Sequence, residues 1–499
     1  MHSLPGGIVP EFQNFRSIAW RLFLTCWLIY VLHFATNTVR EIYLALAIGD
    51  HFSFRVDEYA GLHPDLFEKP GYGWHINSNP GVSMVAAIPC ALLRPITDRI
   101  VAEVNRRRAA APDKAPAYRS PWPMAREFYE QAWRRGLDAK FGLAAFITQA
   151  FAMAPVSAAG VVAMFWLLTQ LFGNDRPALW LALLYAFGTP VFFRTGTLNH
   201  NLMLGHFTFM GFLALWNPGG GLSLSVRWRY ALAGTAGGAA VLFDYGGCVL
   251  LASLFLYALM QDDRRIGAFV AGAAGPILLL WFYQWQSFGH PFYPAQHWMP
   301  AVHWSGQGYQ GFGWPQRDIL IASLGDYRYG LFTSSPVLLL AFAAPPWVFR
   351  RHVRYVSGRE LVFLFGAFLG AWLFYGGVHY SRLQFNTGVR YLTAVVPFLF
   401  VPLALVLVRL PRGVTYLLSV ASLTQAWCMA MYRDVERGFG VLEPVFHVFL
   451  GGFQLPWLTV ISRIEGLIEE YAPSGPSPLP LFALTAAVLY ALWRRPRAA

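Results

Sequence analysis

The sequence predicts an all-α polytopic membrane protein with roughly 11 to 13 transmembrane helices. Of its 499 residues, 56% are hydrophobic and only 13% are charged, whereas a soluble domain carries about 25% charged residues. Apolar runs of about 20 residues recur along the whole chain, which is the length that crosses a bilayer. The 19 Trp, 23 Tyr and 41 Phe fit aromatic belts at two membrane interfaces.

The predicted spans follow one another with short connections, apart from a few longer loops. Glycine and proline are frequent within them, as membrane helices allow. In chain order, the apolar runs are 17–36, 80–96, 141–172, 177–194, 199–216, 230–259, 266–285, 331–349, 359–378, 391–409, 412–431 and 477–493.

The basic residues predict how these helices are oriented. The net charge is +12, and Lys and Arg concentrate in segment 94–140 and in short turns between apolar runs, which is typical of cytoplasmic loops facing anionic lipid. No basic face is interleaved with stacking aromatics, so nucleic-acid binding is excluded. We therefore expect an inner (plasma) membrane protein with loop 94–140 in the cytoplasm and loops 37–79, 286–330 and 432–476 on the outer face.

This orientation divides the chain into three regions. Residues 1–285 form an N-terminal module, residues 286–330 an aromatic-rich external loop, and residues 331–499 a group of C-terminal helices. The glycine-rich run 230–259 leaves one question open. As a single helix it puts His200 near the cytoplasm, whereas as two half-helices it puts His200 on the outer side.

The first external loop, with its juxtamembrane helices, is the main candidate for function because carboxylates held at a membrane surface usually serve chemistry or ion traffic. Glu41 continues a helical pattern just after the first span, and Asp57 with Glu58 follows in the same loop. Such a carboxylate can remove a proton from an acceptor hydroxyl as a general base. The alternative for each acid is an exposed loop residue with no function beyond its place in the charge distribution of the external loops.

Further polar residues lie at the ends of predicted spans. Lys69, His75 and Asn79 precede a helix that starts at Pro80, and the free N–H groups of such a start suit a lipid phosphate. The plain alternative is an ordinary helix start with proline at its first position.

Four more candidates lie in or beside later helices: His200, Asp244, Arg390 and Tyr391. An acid such as Asp244 within an apolar run is costly and points to function, although a hydrogen-bonded residue inside the bundle is the alternative. Arg390 at an outer helix start suits a phosphate partner, or it is an ordinary arginine that reaches the interface. For His200 alone, a packed histidine is the simpler interpretation.

In its order of motifs, the chain resembles the multi-spanning C-type glycosyltransferases that use polyprenyl-phosphate sugars. The resemblance rests on Arg-Glu-Ile-Tyr-Leu-Ala-Leu-Ala at 40–47, on the run 72–83 ending in Asn-Pro-Gly-Val-Ser, and on 335–340 and 390–392. The bacterial family 39-like branch, which is related to protein O-mannosyltransferases, is the nearest in pattern. Two positions depart from it, since no lysine directly precedes Pro80 and Val389 stands where proline is usual.

The resemblance implies a glycosyltransferase with Glu41 where relatives place an acid, and with Asp57 and Glu58 as competitors in the same loop. The expected partners are a polyprenyl-phosphate-linked sugar donor, membrane lipids, and a glycan, lipid or protein acceptor of the cell envelope. We expect no tightly bound cofactor and no assigned metal site, and the sequence leaves a divalent cation open. The alternatives are a lipid-linked sugar transporter and a non-catalytic envelope-assembly subunit.

Overall fold

The structure, a computed structural model, describes residues 15–110, 116–350, 353–383, 387–466 and 476–494. The protein is mostly helical, at 72%. Among the helices of ten or more residues, His200–Trp216 and Val396–Leu407 are the most thoroughly buried, so the core of the molecule lies around them.

The N-terminal half of the chain contains twelve α-helices and one hairpin in the described residues. The helices are α1 Phe15–Leu32, α2 Arg40–His51, α3 Gly81–Ala110, α4 Pro123–Arg134, α5 Asp138–Thr148, α6 Ala154–Phe172, α7 Asp175–Phe187, α8 Pro190–Thr195, α9 His200–Trp216, α10 Val226–Phe243, α11 Gly247–Gln261 and α12 Ile266–Phe288. A π-helical turn, Gln149–Met153, joins α5 to α6. The strands are β1 Leu66–Lys69 and β2 Gly73–Ile76, which pair antiparallel with Leu66 opposite Ile76.

The C-terminal half contains ten α-helices in the described residues. These are α13 Ala295–Trp298, α14 Arg317–Gly325, α15 Leu331–Ser334, α16 Ala344–Arg350, α17 Gly358–Gly376, α18 Val396–Leu407, α19 Arg412–Met431, α20 Glu443–Gly451, α21 Pro456–Ser462 and α22 Leu479–Trp493. Shorter 3₁₀ turns include Asp57–Tyr59, Pro336–Ala343 and Tyr391–Val395.

The predicted class, a helical multi-pass membrane protein, is confirmed. Five helices of the described residues are long and apolar enough to cross a membrane, and one bent pair would make six. The five are Phe15–Leu32, Asp138–Phe172, Asp263–Phe288, Gly358–Gly376 and Arg412–Met431. Four shorter apolar helices of 10–17 residues accompany them. Two of these shorter helices, Pro336–Arg350 and Tyr391–Leu407, begin with a 3₁₀ turn.

The glycine-rich run 230–259 forms two helices that fold back on each other. The Tyr230 hydroxyl donates a hydrogen bond to the Ala258 carbonyl (3.1 Å), so the far ends of α10 and α11 are adjacent. A Cβ on Gly247 would lie 2.2 Å from the Ala240 carbonyl oxygen, which is why glycine is needed at this close approach. Asp244 lies in the turn of this hairpin, so the run forms two helices, which is one of the two alternatives that the sequence left open.

The predicted separation of loops 37–79 and 94–140 by the membrane is wrong, because the two segments touch. The Lys140 ammonium lies 3.0 Å from the Asp50 carboxylate, and Arg135 donates to the carbonyls of Glu58 and Ala60 (3.0 and 2.9 Å). Groups in direct ionic contact cannot lie on opposite sides of a bilayer. Segment 94–140 therefore belongs to the same end of the molecule as the acidic loop.

Helix α3 explains this correction. Its first half runs beside α2 in the same direction, with the Ser83 hydroxyl donating to the Glu41 carbonyl (2.8 Å) and Gly49 packed against Ala87. Segment 94–140 also reaches the chain after α19, where Arg119 and Glu465 form an ion pair of 3.1 Å. Counting Lys and Arg missed this because the positive-inside tendency weighs charge and not contacts.

Candidate functional site

Helix α2 begins with a buried network of charges. The Arg40 guanidinium contacts the Glu41 carboxylate through Nε (3.1 Å), and its Nη1 contacts Asp65 Oδ2 (3.1 Å) and Asn77 Oδ1 (2.8 Å). Asn77 also donates to Asp65 (3.0 Å). Asp65 and Asn77 flank the β-hairpin, so the hairpin delivers them to the first turn of the helix. One cation thus holds two carboxylates at this end of the molecule.

His200 connects this network to the α10–α11 turn. Its Nδ1 lies 3.0 Å from Glu41 Oε1, and its Nε2 lies 3.8 Å from Asp244 Oδ2. The residue begins helix α9, where Asn199 caps the helix by accepting from the Leu202 N–H (3.0 Å). His200 is only 5% exposed, and its Nε2 is buried without a hydrogen-bond partner. We name Glu41, His200 and Asp244 the acid–histidine cluster.

Asp244 is the most accessible member of this cluster, with its side chain 27% exposed. Its Oδ1 accepts a hydrogen bond from the Gly246 N–H (2.8 Å), which fixes the carboxylate in the hairpin turn. The Tyr375 hydroxyl lies 3.4 Å from the same oxygen and 3.1 Å from Asn201 Oδ1. Oδ2 is the oxygen left to face His200.

The electrostatics of the network keep its acids ionised. Burial acts to raise the pKa of Glu41, but the charge of Arg40 and the hydrogen bond from His200 outweigh it and hold that pKa well below its usual range. Burial likewise opposes ionisation of Asp65, whose pKa is nevertheless lowered by Arg40, His63 and Arg390. Glu41 and Asp65 therefore stay ionised at neutral pH, and the charge of Glu41 lies beside His200.

Arg390 and Tyr391 lie beside the acid–histidine cluster. The positive charge of Arg390 helps to lower the pKa values of both Glu41 and Asp65. Its guanidinium lies 5.2 Å from the centroid of the Tyr391 ring, and that ring is 5.2 Å from the ring of Tyr375. These two predicted residues therefore reach the cluster from the chain that precedes α18.

Asp57 and Glu58 take a different position. Asp57 pairs with Arg55 (3.2 Å) and accepts from the Trp74 N–H (2.7 Å), while its side chain stays 50% exposed. Glu58 pairs with Lys140 (3.4 Å) and lies 3.9 Å from His51. Neither acid contacts Glu41, His200 or Asp244 in the described part of the chain, so the structure brings Glu41 and not Asp57 to the cluster.

The three residues predicted before Pro80 have separate roles in packing. The Lys69 ammonium bonds to the Phe288 carbonyl and lies 3.5 Å from the Trp298 ring centroid. His75 is buried between the carbonyls of Phe54 and Tyr72, each 3.1 Å away.

Asn79 donates to the Val241 carbonyl (2.7 Å) and thereby joins the start of α3 to the end of α10. A Cβ on Gly81 would lie 2.6 Å from Phe243 Cδ1, so this helix start is packed directly against protein. The helix start at Pro80, which was predicted to bind a lipid phosphate, is therefore largely covered by the end of α10.

Sequence reasoning missed Arg40, Asp65, Asn77 and Tyr375 as parts of the site. The sequence contains one indication for Arg40, which directly precedes Glu41 at the helix start. It contains none for the other three residues, because the β-hairpin brings Asp65 and Asn77 to the site and α17 brings Tyr375. The aromatic loop 286–330 also adjoins the network, where Gln296 donates to the Asn77 carbonyl (2.8 Å).

The arrangement can bind an anion and move a proton, since cations, ionised carboxylates and an open imidazole nitrogen lie within one region. Among the described residues, no group of three or more His, Cys, Asp or Glu is placed to hold a metal ion. No protein-family model, curated protein or solved structure matches the chain. The resemblance stated above therefore stays a prediction, and function has to be argued from the geometry.

Proposed function

We propose that this multi-pass membrane protein is a glycosyltransferase that moves a sugar from a polyprenyl-phosphate donor to an acceptor of the cell envelope. The observation that carries the proposal is His200, which is held by Glu41 and presents an unpartnered, buried Nε2 toward Asp244. An ionised carboxylate on one ring nitrogen and an open second nitrogen is the arrangement of an oriented general base. The side of the membrane on which the reaction takes place stays a prediction, because segment 94–140, whose basic residues had placed the acidic loop outside, lies at the same end as that loop.

Glu41 acts here as the residue that orients the base. A carboxylate with a strongly lowered pKa is a weak proton acceptor, but it is well suited to accept a hydrogen bond from Nδ1–H of His200. That bond leaves the lone pair of Nε2 free. Asp57, the other acid predicted as a base, has no part in this proposal because its contacts lie elsewhere.

The acceptor hydroxyl would lie between His200 and Asp244. Since Nε2 and Oδ2 are 3.8 Å apart, one oxygen atom can be within hydrogen-bond reach of both. As that oxygen attacks the anomeric carbon, its proton passes to His200 or Asp244. The bond between the anomeric carbon and the phosphate oxygen breaks, and the polyprenyl phosphate leaves with the electron pair. Arg390 is placed to stabilise the charge on the leaving phosphate.

The position of Asp244 favours an enzyme over a transporter. Transporter sites lie near the bilayer midplane, and an acid in the middle of a membrane span would have suited that class. In the structure, Asp244 lies in a hairpin turn at the same end as Glu41. We therefore propose transfer chemistry at this end of the molecule.

The test is transfer of radiolabelled sugar by purified protein from a panel of polyprenyl-phosphate sugars. We expect His200→Gln and Asp244→Asn each to reduce kcat by about 100-fold or more, which is the usual contribution of a general base. Asp57→Asn is the matched control, because it removes a carboxylate from the same loop, and its rate should stay within about twofold of wild type. Full activity of the His200 and Asp244 variants would refute the assigned roles, and no transfer from any donor would refute the function.

A further inference from the structure

Three arginines from distant parts of the chain lie near one another, and one of them, Arg390, adjoins the acid–histidine cluster. Arg194 in α8 donates through Nε and Nη2 to the carbonyls of Val389 and Gly388, each at 2.5 Å, and so lies next to Arg390. Arg433, which follows α19, points at the chain just after Arg194, because a Cβ on Gly196 would lie 2.6 Å from its Nη1. We name Arg194, Arg390 and Arg433 the arginine cluster.

Arg433 differs from the other two because its charge has no counterpart. Its Nε and Nη1 atoms are buried and have no hydrogen-bond partner, and no carboxylate of the described chain forms an ion pair with it. The adjacent Asp434 is engaged elsewhere, accepting from the Trp122 indole (3.2 Å) and lying 3.8 Å from Arg437. Burial lowers the pKa of Arg433 to about 10, so the guanidinium still carries its proton at neutral pH.

An arrangement of this kind is costly for the protein alone. The two buried nitrogens of Arg433, Nε and Nη1, lose hydration that nothing in the described chain replaces, and the positive charge of Arg194 nearby adds repulsion. Both costs disappear when an anion enters. Guanidinium groups match phosphate oxygens in geometry and can donate two parallel hydrogen bonds to them. The unsatisfied nitrogens of Arg433 are therefore suited to a phosphoryl group.

We infer that Arg433, with Arg194 and Arg390 beside it, binds the phosphoryl group of a phosphate ester. The inference deepens the proposed function and rests on it for the identity of the ester, since a polyprenyl-phosphate donor carries such a group. In this site Arg194 is a positioning residue that holds the backbone before Arg390. Arg433 is the residue that contacts the phosphate oxygens.

The test measures binding by the full-length protein in detergent, without any transfer reaction. The probes are farnesyl phosphate, phosphatidylglycerol and inorganic phosphate, with farnesol as the uncharged control, and the readout is the ligand-dependent rise in Tm. We expect farnesyl phosphate to stabilise the wild type and farnesol not to. Arg433→Met should weaken farnesyl phosphate binding by at least about tenfold, the effect of losing roughly 1.4 kcal/mol.

The unliganded Arg433→Met protein should be more stable than the wild type, because the substitution removes an unpaired charge with two buried, unsatisfied nitrogens. A residue with a purely structural role would give the opposite result. The matched control is Arg437→Met, which removes an arginine of the same loop whose guanidinium is 52% exposed beside Asp434. It should leave the affinity for farnesyl phosphate unchanged and should not raise the Tm, because it removes a hydrogen bond to the Pro121 carbonyl (3.0 Å).

Gly196→Ala provides a second variant that keeps every charge. The φ of Gly196 is −63°, so alanine is not strained there, but its Cβ would push the end of Arg433 aside and press on the His33 carbonyl, 3.1 Å away. We expect weaker farnesyl phosphate binding in this variant as well.

The outcomes separate the possible sources of the phosphate. Arg433-dependent binding of farnesyl phosphate above the other probes supports a prenyl-phosphate ligand. Equal binding of phosphatidylglycerol supports a phospholipid headgroup, and binding of inorganic phosphate alone supports a free anion. The inference is overturned if no probe binds in an Arg433-dependent way, or if Arg433→Met lowers the unliganded Tm and leaves affinity unchanged. Arg433-dependent binding without sugar transfer would refute the proposed function only.

Discussion

The acids of loop 37–79 fall into two groups with different environments. We call Glu41, with Asp65 across Arg40, the buried half of the loop, and Asp57 with Glu58 the exposed half. Glu41 is 3% exposed and shares Arg40 with Asp65, whereas Asp57 and Glu58 have half-exposed side chains and pair with Arg55 and Lys140. The first group joins His200, which begins a buried helix, and the second faces solvent and segment 94–140. A catalytic site needs the buried environment of Glu41, because charges that are shielded from water interact far more strongly than solvated charges.

The comparison also shows that burial, more than the number of acids, decides how firmly the carboxylates are held in place. The exposed half contains as many carboxylates, but each has a flexible partner and access to water. The buried half fixes its carboxylates from several directions, through a helix start, a hairpin and a histidine. The following predictions test this difference, beginning with the largest expected effect.

Arg40→Met should be the most damaging change. It leaves Glu41 buried, and Asp65 partly exposed, without their shared cation. Breaking a buried ion pair typically costs 3–5 kcal/mol, so we expect a loss of about 3 kcal/mol. Arg55→Met, which removes the exposed partner of Asp57, should cost less than about 1 kcal/mol. Unfolding in detergent measures both. Equal losses would remove the distinction between the two halves.

Acid pH should weaken the buried half selectively. The pKa of Glu41 is lowered in the folded protein, so its contribution to stability is present above its ordinary value of 4.5 and is lost as pH falls below it. The Tm of the wild type should fall between about pH 5 and pH 3.

Glu41→Gln serves as the variant for this pH test, since it cannot take up the proton. Its Tm should be lower at pH 7 and should fall less steeply with acid than that of the wild type. Asp57→Asn should show the wild-type slope. A Glu41→Gln profile parallel to the wild type would contradict the role of Arg40 and His200 in holding the carboxylate ionised.

Asn79→Ala should have an intermediate effect. Its amide donates to the Val241 carbonyl inside the protein (2.7 Å), and a lost buried hydrogen bond costs about 1–2 kcal/mol. Ser53→Ala is the control from the exposed part of the loop, where the hydroxyl accepts from the Arg55 N–H (3.0 Å), and it should cost at most about 0.5 kcal/mol. The difference in Tm between the two variants is the measurement.

Asp57→Asn should have the smallest effect on stability. Exposed ion pairs contribute about 0–1 kcal/mol, and the asparagine side-chain oxygen can still accept from the Trp74 N–H. The Tm should therefore stay within about 2 °C of the wild type. A larger loss would mean that the exposed half of the loop supports the buried half.

The fold class and part of the site were predictable from the sequence. Apolar run length and low charge gave a helical membrane protein, and helical periodicity after the first span placed Glu41 on α2. Periodicity did not predict that α10 and α11 fold into a hairpin, because a glycine-rich run is compatible with one helix or two. The prediction that segment 94–140 and the acidic loop lie on opposite sides of the membrane was wrong for a related reason. Counting charges cannot detect that α3 lies beside α2.

The sequence by itself determined which residues are costly to bury, namely Glu41, His200, Asp244 and Arg390 among apolar neighbours. Only the tertiary structure decided which of them meet, because His200 and Asp244 reach Glu41 through α9 and a hairpin turn more than 150 residues further along the chain. It also decided that Arg433 is left without a partner. Hydrophobicity is encoded locally in each segment, whereas the pairing of charges depends on contacts between segments far apart in the chain.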